Sequence, residues 1–166
     1  MQTAKTVLIT AGASGIGQAM ADAFHAAGYH IAVTDIDDTA LNSLSQRIPD
    51  AICINADVCR EADMIQLETL LRKKWNRLDV VMANAGIAGP TAVLAEVELA
   101  DWRHCLAVNL DGAFLTCRIA AQWMSPQKSG VITLTSSTAG LFGYPLRSPY
   151  ASAKWGIIGL MKTLAM

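Results

Sequence analysis

The residues with most to offer chemically are Tyr150 and Lys154, in the run Tyr150-Ala-Ser-Ala-Lys154. Four positions apart on a helix, two side chains share one face. A phenol is a poor base at neutral pH, since it ionises in water only near about pH 10. An ammonium beside it stabilises the phenolate, and the oxygen can then exchange a proton with an alcohol or a carbonyl. On spacing alone, packing plus a solvated cation is the commoner explanation of such a pair. Ser137, in Thr135-Ser136-Ser137-Thr138-Ala139-Gly140, changes that balance, because its hydroxyl can hold a reacting oxygen opposite Tyr150. Asn109 lies within a helical pattern, where a short amide side chain is mildly unfavourable. There it can bind water and connect Lys154 to solvent.

A second group of residues reads as a nucleotide site. Thr10-Ala11-Gly12-Ala13-Ser14-Gly15-Ile16-Gly17 directly follows a strand-like run. Its glycines permit a tight turn, and the helix that follows presents unpaired N–H groups and a positive dipole end to a pyrophosphate. The spacing is G-x-x-G-x-G rather than G-x-G-x-x-G, and a P-loop is excluded because no GK[ST] follows. Asp35 ends the next strand, where a carboxylate accepts bonds from an adenosine ribose hydroxyl. A phosphate on that hydroxyl would meet the negative charge of Asp35. Neither Ser14 nor Ile36 supplies an offsetting cation, so NAD is favoured over NADP. Asp37 and Asp38 read as the start of the following helix, where acidic residues suit the dipole. Asp57 follows a third strand and is expected to accept from an adenine amine while Val58 covers the ring; a turn or cap role is its rival. Asn84-Ala85-Gly86 offers small side chains at the same edge, which lets the chain pass close to a flat cofactor. Alone it is a weak turn signal.

The elements that must position these groups alternate. Strands are expected at Thr6–Ile9, His30–Thr34, Ala51–Ile54, Leu78–Asn84 and Gly130–Thr135. Helices are expected over Gly15–Ala27 with Gly28 as stop, Asp38–Arg47, Ala62–Trp75, Leu99–Met124, and from Pro149 towards the end. Gly112 and Asn109 weaken the middle of the long pattern. This order predicts an α/β fold, a doubly wound parallel sheet with helices on both faces. Apolar runs such as VLI and VITL fit strands covered on both sides.

The chain has 166 residues, 52% hydrophobic and 16% charged, with 13 Lys and Arg against 14 Asp and Glu. That length suits one domain, residues 1–166, with its own core. A net charge of −1 disfavours nucleic acid as a partner. Charge is low against the usual proportion of about a quarter, which suits a surface meant for covering. No apolar run is long enough to span a bilayer as a helix, and MQTAKTVLIT does not read as a secretion signal, so a cytoplasmic location is expected. Cys53, Cys59, Cys105 and Cys117, with His25, His30 and His104, form neither a disulfide framework nor a metal-ligand pattern.

Together, Thr10 through Gly17, Asp35, Asp57, Asn84-Ala85-Gly86, Asn109, Ser137 and Tyr150-x-x-x-Lys154 resemble the short-chain dehydrogenase/reductase family across essentially the whole chain. The resemblance implies a Rossmann-like fold, hydride exchange between a nicotinamide cofactor and a small secondary alcohol or ketone, and Asn109, Ser137, Tyr150 and Lys154 as the catalytic group. It implies Lys154 on the nicotinamide ribose hydroxyls, and Asn84 partly as a tie for the central sheet. Ala11 stands where the family usually has its first glycine, and Gly12 is expected to accommodate the turn instead. The family continues with further strands, so a chain lacking its C-terminal part is expected. It also implies a homo-oligomer, dimer or tetramer, built through the helices of Leu99–Met124 and Pro149–Met166, on which Trp102, Trp123 and Trp155 recur. Two alternatives stay open: an NADP-dependent 3-oxoacyl-type reductase, and a catalytically inactive nucleotide-binding or interaction protein. Near the substrate, Phe142 and Tyr144 are read as packing, with lining of an apolar pocket as the alternative. Arg147 is read as a ligand for loop carbonyls or a partner acid, with a substrate anion as the alternative.

Overall fold

The computed structural model describes residues 4–166. The run Thr6-Val-Leu-Ile-Thr forms β1 (Thr6–Thr10), followed by β2 (His30–Asp35), β3 (Ile52–Asn55), β4 (Val80–Ala83) and β5 (Val131–Leu134). These lie in the order β3-β2-β1-β4-β5, and every neighbouring pair is parallel. The chain runs outward from β1 to β3, then returns across the sheet to β4. The carboxyl ends of β1 and β4 therefore form the switch point, where doubly wound sheets leave a crevice for ligands.

Helices α1 (Gly15–Ala26), α2 (Asp38–Arg47), α3 (Glu61–Lys74), α4 (Leu99–Leu106), α5 (Gly112–Gln127) and α6 (Ser148–Leu164) cover the sheet. Alternation along β1 sends Val7 and Ile9 to a layer with Ala21 of α1 and Leu41 and Leu44 of α2. Leu8 points the other way, to Met64, Leu67 and Leu71 of α3 and Leu115, Ile119 and Trp123 of α5. Each such side chain contributes about 1.5–3 kcal/mol when fully buried. Ala83, Ala113, Cys117 and Ile157 dock α6 on α5 and the end of β4. Gly28 ends α1 with a φ of 78°. Asp37 caps α2 by accepting from the Ala40 N–H at 3.0 Å, as its reading as a helix start requires. Among the described residues no helix is long and apolar enough to cross a membrane.

Two expectations change. The long helix of Leu99–Met124 is broken by a π-helical turn at Ala107–Asp111, and its second half continues through Pro126 to Gln127. Strand β5 is covered on one face only: Val131 is 57% exposed and Thr133 is open on the same side. Its apolar composition does not bring a helix to both faces here.

Candidate active site

The glycine turn is held mainly by backbone shape. Ala11, and not Gly12, takes the left-handed conformation, with a φ of 48°. That corrects the expectation for Gly12, and it places a cost of roughly 1–2 kcal/mol on a residue with a Cβ. Gly12 is needed for another reason: a Cβ there would lie 2.9 Å from a Val33 methyl and 3.1 Å from an Ile9 methyl. Gly15 is the second left-handed position, at 51°. A Cβ on Gly17 would overlap the Ala11 carbonyl oxygen, so α1 can sit on the end of β1 only with glycine at that point. Ser14 precedes α1 without bonding its N–H groups through the side chain. Those donors and the dipole end of α1 face the crevice.

The Asp35 carboxylate closes this turn from β2. It accepts from the Ala13 N–H at 3.1 Å and from the Ile36 N–H at 2.9 Å. Ile36 is 71% exposed beside it. Asp57 accepts from the Cys59 N–H at 2.9 Å, and its own N–H donates to Asp63 at 3.1 Å, so its contacts in this structure are those of a turn. Val58 is buried, with its side chain against Gly112.

Asn84 joins the two halves of the crevice. Its amide donates to the Thr10 and Ala11 carbonyls, each at 3.2 Å, and its oxygen accepts from the Thr135 hydroxyl at 3.2 Å. The ends of β1, β4 and β5 are thereby tied together. Ala85 follows, and its N–H donates to the Thr10 hydroxyl at 3.2 Å.

Beyond this tie lie the residues expected to form the catalytic group. Lys154 on α6 is 3% exposed, and its ammonium donates to the Thr135 carbonyl at 2.9 Å. The nitrogen lies 5.5 Å from the centre of the Tyr150 ring. Burial lowers the Lys154 pKa from its usual 10.5, with nearby Cys105 acting in the opposite direction. Ser136 donates to the Lys154 carbonyl at 3.1 Å and so pins α6 to the segment after β5. Ser137 accepts from the Ala139 N–H at 3.2 Å.

Asn109 is fully buried. Its amide nitrogen donates to Ile87 O and to Cys105 O, both at 2.9 Å. Cys105 O is the acceptor that an α-helical N–H of residue 109 would use. The side chain occupies it, which accounts for the π-helical turn at this point. The Asn109 oxygen has no partner. A Cβ on Gly86 would come within 2.7 Å of that oxygen and 3.3 Å of the Lys154 nitrogen, so bare backbone separates the two groups.

Ser14, Gly15, Ile16, Gly17, Asn84, Gly86, Asn109, Ser137, Tyr150 and Lys154 line one cleft of about 410 Å³. Gly12, Asp35, Ile36, Asp57, Val58 and Ala85 do not line it. Thr135, Ser136 and Ile87 were not singled out as site residues from the sequence. Two of them act through backbone carbonyls, which leave no mark on residue type. Phe142 and Tyr144 are 68% and 51% exposed, so neither packs its segment as expected. Among the described residues, no cluster of three metal-ligating side chains occurs.

Residues 5–166 match the family model described as short chain dehydrogenase. The chain belongs to the short-chain dehydrogenase family. It is 39% identical to tropinone reductase-like 1 of Erythroxylum coca, over 96% of this chain and 60% of that protein. It is 36% identical to a 3-oxoacyl-[acyl-carrier-protein] reductase of Synechocystis sp., over 98% of this chain and 68% of that one. Among solved structures, a short chain dehydrogenase/reductase from Burkholderia phymatum in complex with NAD superposes with a TM-score of 0.93 at 27% identity, over 97% of this chain and 59% of that one. The chain thus spans about three fifths of the length of the tropinone reductase-like relative.

Proposed function

We propose that this short-chain dehydrogenase transfers a hydride between NAD(H) and a small secondary alcohol or ketone, with Tyr150 as acid and base. The convergence of Ser137, Tyr150, Lys154 and Asn109 on the cleft beneath the glycine turn carries this reading. The residues fit a dinucleotide: α1 offers uncapped N–H groups, Asp35 stands at the end of β2, and bare backbone at Gly86 leaves room beside Lys154. Gly12, Ser14, Gly15, Ile16 and Gly17 would hold the pyrophosphate side; Asp35 and Ile36 the adenosine ribose and ring; Asn84, Ala85, Gly86, Tyr150 and Lys154 the nicotinamide end. Asp57 and Val58 would contribute through backbone at the adenine edge. When bound, the nicotinamide accepts or supplies the hydride.

The chain's own residues do the rest. Ser137 orients the substrate oxygen. In oxidation Tyr150 takes the hydroxyl proton; in reduction it returns one. The buried charge of Lys154 stabilises the oxyanion on Tyr150 and reaches ribose hydroxyls. The unpartnered oxygen of Asn109 is suited to hold a water that passes the proton outward, since an unpaired buried acceptor costs about 1–3 kcal/mol.

The preference for NAD rests on Asp35, beside which Ile36 offers no cation. The NADP-dependent 3-oxoacyl-type reductase is the second reading, favoured by the similarity to the Synechocystis protein. Parallel fluorescence titrations with NADH and NADPH decide between them. Tighter binding of NADH by tenfold or more, of order 1.4 kcal/mol, is expected; tight NADPH binding without an NADH response would overturn the choice. The half-exposed Phe114 and Trp155 on α5 and α6 support a homo-oligomer formed through those helices.

A further inference from the structure

The segment leading into α6 makes contacts that the proposed chemistry does not use. Arg147 is the N-cap residue of α6, three positions before Tyr150. Its Nη1 donates to two successive carbonyls in the loop after β4, Ala88 O at 3.0 Å and Gly89 O at 3.2 Å. One residue earlier, Leu146 O accepts from the Ala92 N–H at 3.1 Å. Leu146 holds a φ of 60°, a conformation that a residue with a Cβ keeps only where its surroundings over-determine it. Gly89, with a φ of 66°, lies between α4 and α6: a Cβ there would be 2.7 Å from the Cys105 sulfur and 4.0 Å from the Pro149 ring. The near end of the loop is pinned separately, by Asn109 on Ile87 O. Residues 86–92 are thus held from both helical sides, and Ile87 and Ala88 line the same cleft as Ser137 and Tyr150.

We propose that Arg147 is a positioning residue, which fixes Ile87 and Ala88 relative to Tyr150 and so sets the substrate-side wall of the cleft. A charge-assisted donor shared by two carbonyls resists loop displacement more than neutral bonds do. Because Arg147 caps the helix that carries Tyr150, wall and phenol move as one body. Its side chain takes the structural of the two roles open to it in the sequence, and it is not the receptor for a substrate anion.

The inference rests on Tyr150 being the acid and base, and two measurements keep the two ideas separable. Hydrogen exchange of the loop amides needs no turnover. In Arg147→Gln the Ala92 amide, which donates to Leu146 O in this loop, should exchange at least tenfold faster, with β1 and β2 unchanged. Arg147→Lys keeps the charge on a differently placed, flexible ammonium and should restore only part of that protection. The second measurement is NADH-dependent reduction of cyclohexanone and of 4-oxocyclohexanecarboxylate. In Arg147→Gln, kcat/KM should fall for both ketones by roughly tenfold or more, as small misplacements do, while NADH affinity stays within twofold. Unchanged exchange in Arg147→Gln overturns the proposal. So does a loss confined to the carboxylate ketone and restored by lysine, which would make Arg147 an anion receptor. With Tyr150→Phe run in parallel, wild-type turnover by that variant would sink the catalytic reading alone, and loop exchange would still judge Arg147.

Discussion

The glycine turn and the cluster around Asn109 and Lys154 share one edge of the sheet but are held in opposite ways. The turn is contiguous, residues 10–17, and its form resides in backbone conformation at Ala11 and Gly15 and in the close approach at Gly17. The cluster is assembled from the loop after β4, the π-helical turn, the end of β5 and α6, and it is fixed by the buried side chains of Asn109 and Lys154. A site of the first kind fails through steric intrusion or altered backbone strain. One of the second kind fails when a single donor or acceptor is removed.

The largest effect should come from the cluster. Tyr150→Phe removes one oxygen from a partly buried side chain, so kcat/KM should fall by about 10²–10⁴, the usual worth of a positioned acid or base. NADH binding, followed by fluorescence, should stay within a few-fold; near-normal turnover would break the comparison at its strongest point. Gly17→Ala tests the turn. Overlap with the Ala11 oxygen should cost about 1–3 kcal/mol in denaturant unfolding and weaken NADH binding in the same protein. An alanine variant as stable as the parent would remove the steric account. A smaller effect concerns pH. The folded-state pKa of Lys154 lies below the ordinary 10.5, so the unfolded chain binds more protons just below that value. Stability therefore gains from this residue as pH rises towards 10.5. The stability difference between wild type and Lys154→Met should shift in favour of wild type over that interval; a flat difference would contradict the burial of the charge. The smallest change is expected for Ala11→Gly. Relief of left-handed strain, about 1–2 kcal/mol, is partly offset by the freer unfolded chain, about 0.4–1 kcal/mol. A melting temperature equal to or slightly above wild type is the expected result, and a clear fall would mean that the Ala11 methyl is a packing group.

What could be read in the sequence follows the same division. Residues 10–17 announce a turn by composition, and alternating apolar runs place all five strands to within a few residues, because each signal is local. Asn109 and Gly112 rightly disturbed the long helical pattern, yet the π-helical turn itself depends on an amide reaching Cys105 O and Ile87 O, which no spacing rule contains. Thr135 matters through its carbonyl, which every residue type carries. The packing of Val58 against Gly112 likewise depends on tertiary structure, since 54 residues separate the two. Ala11 looked like a loss of flexibility to be made good next door. The chain instead bears the strain in place.

The Asn84 tie also bears on how the site comes into being. Its bonds close loops of 74 residues back to Thr10 and 51 residues forward to Thr135, whose carbonyl accepts from Lys154, 19 residues further on. Contacts of such separation wait until the entropy of the intervening chain has been overcome. A folding chain can therefore shape its glycine turn early, from neighbouring residues, but it acquires a fixed ammonium only after β5 has docked on β4. A molecule that has lost only the β5 docking would keep the turn of residues 10–17 while Lys154 lacked its carbonyl partner.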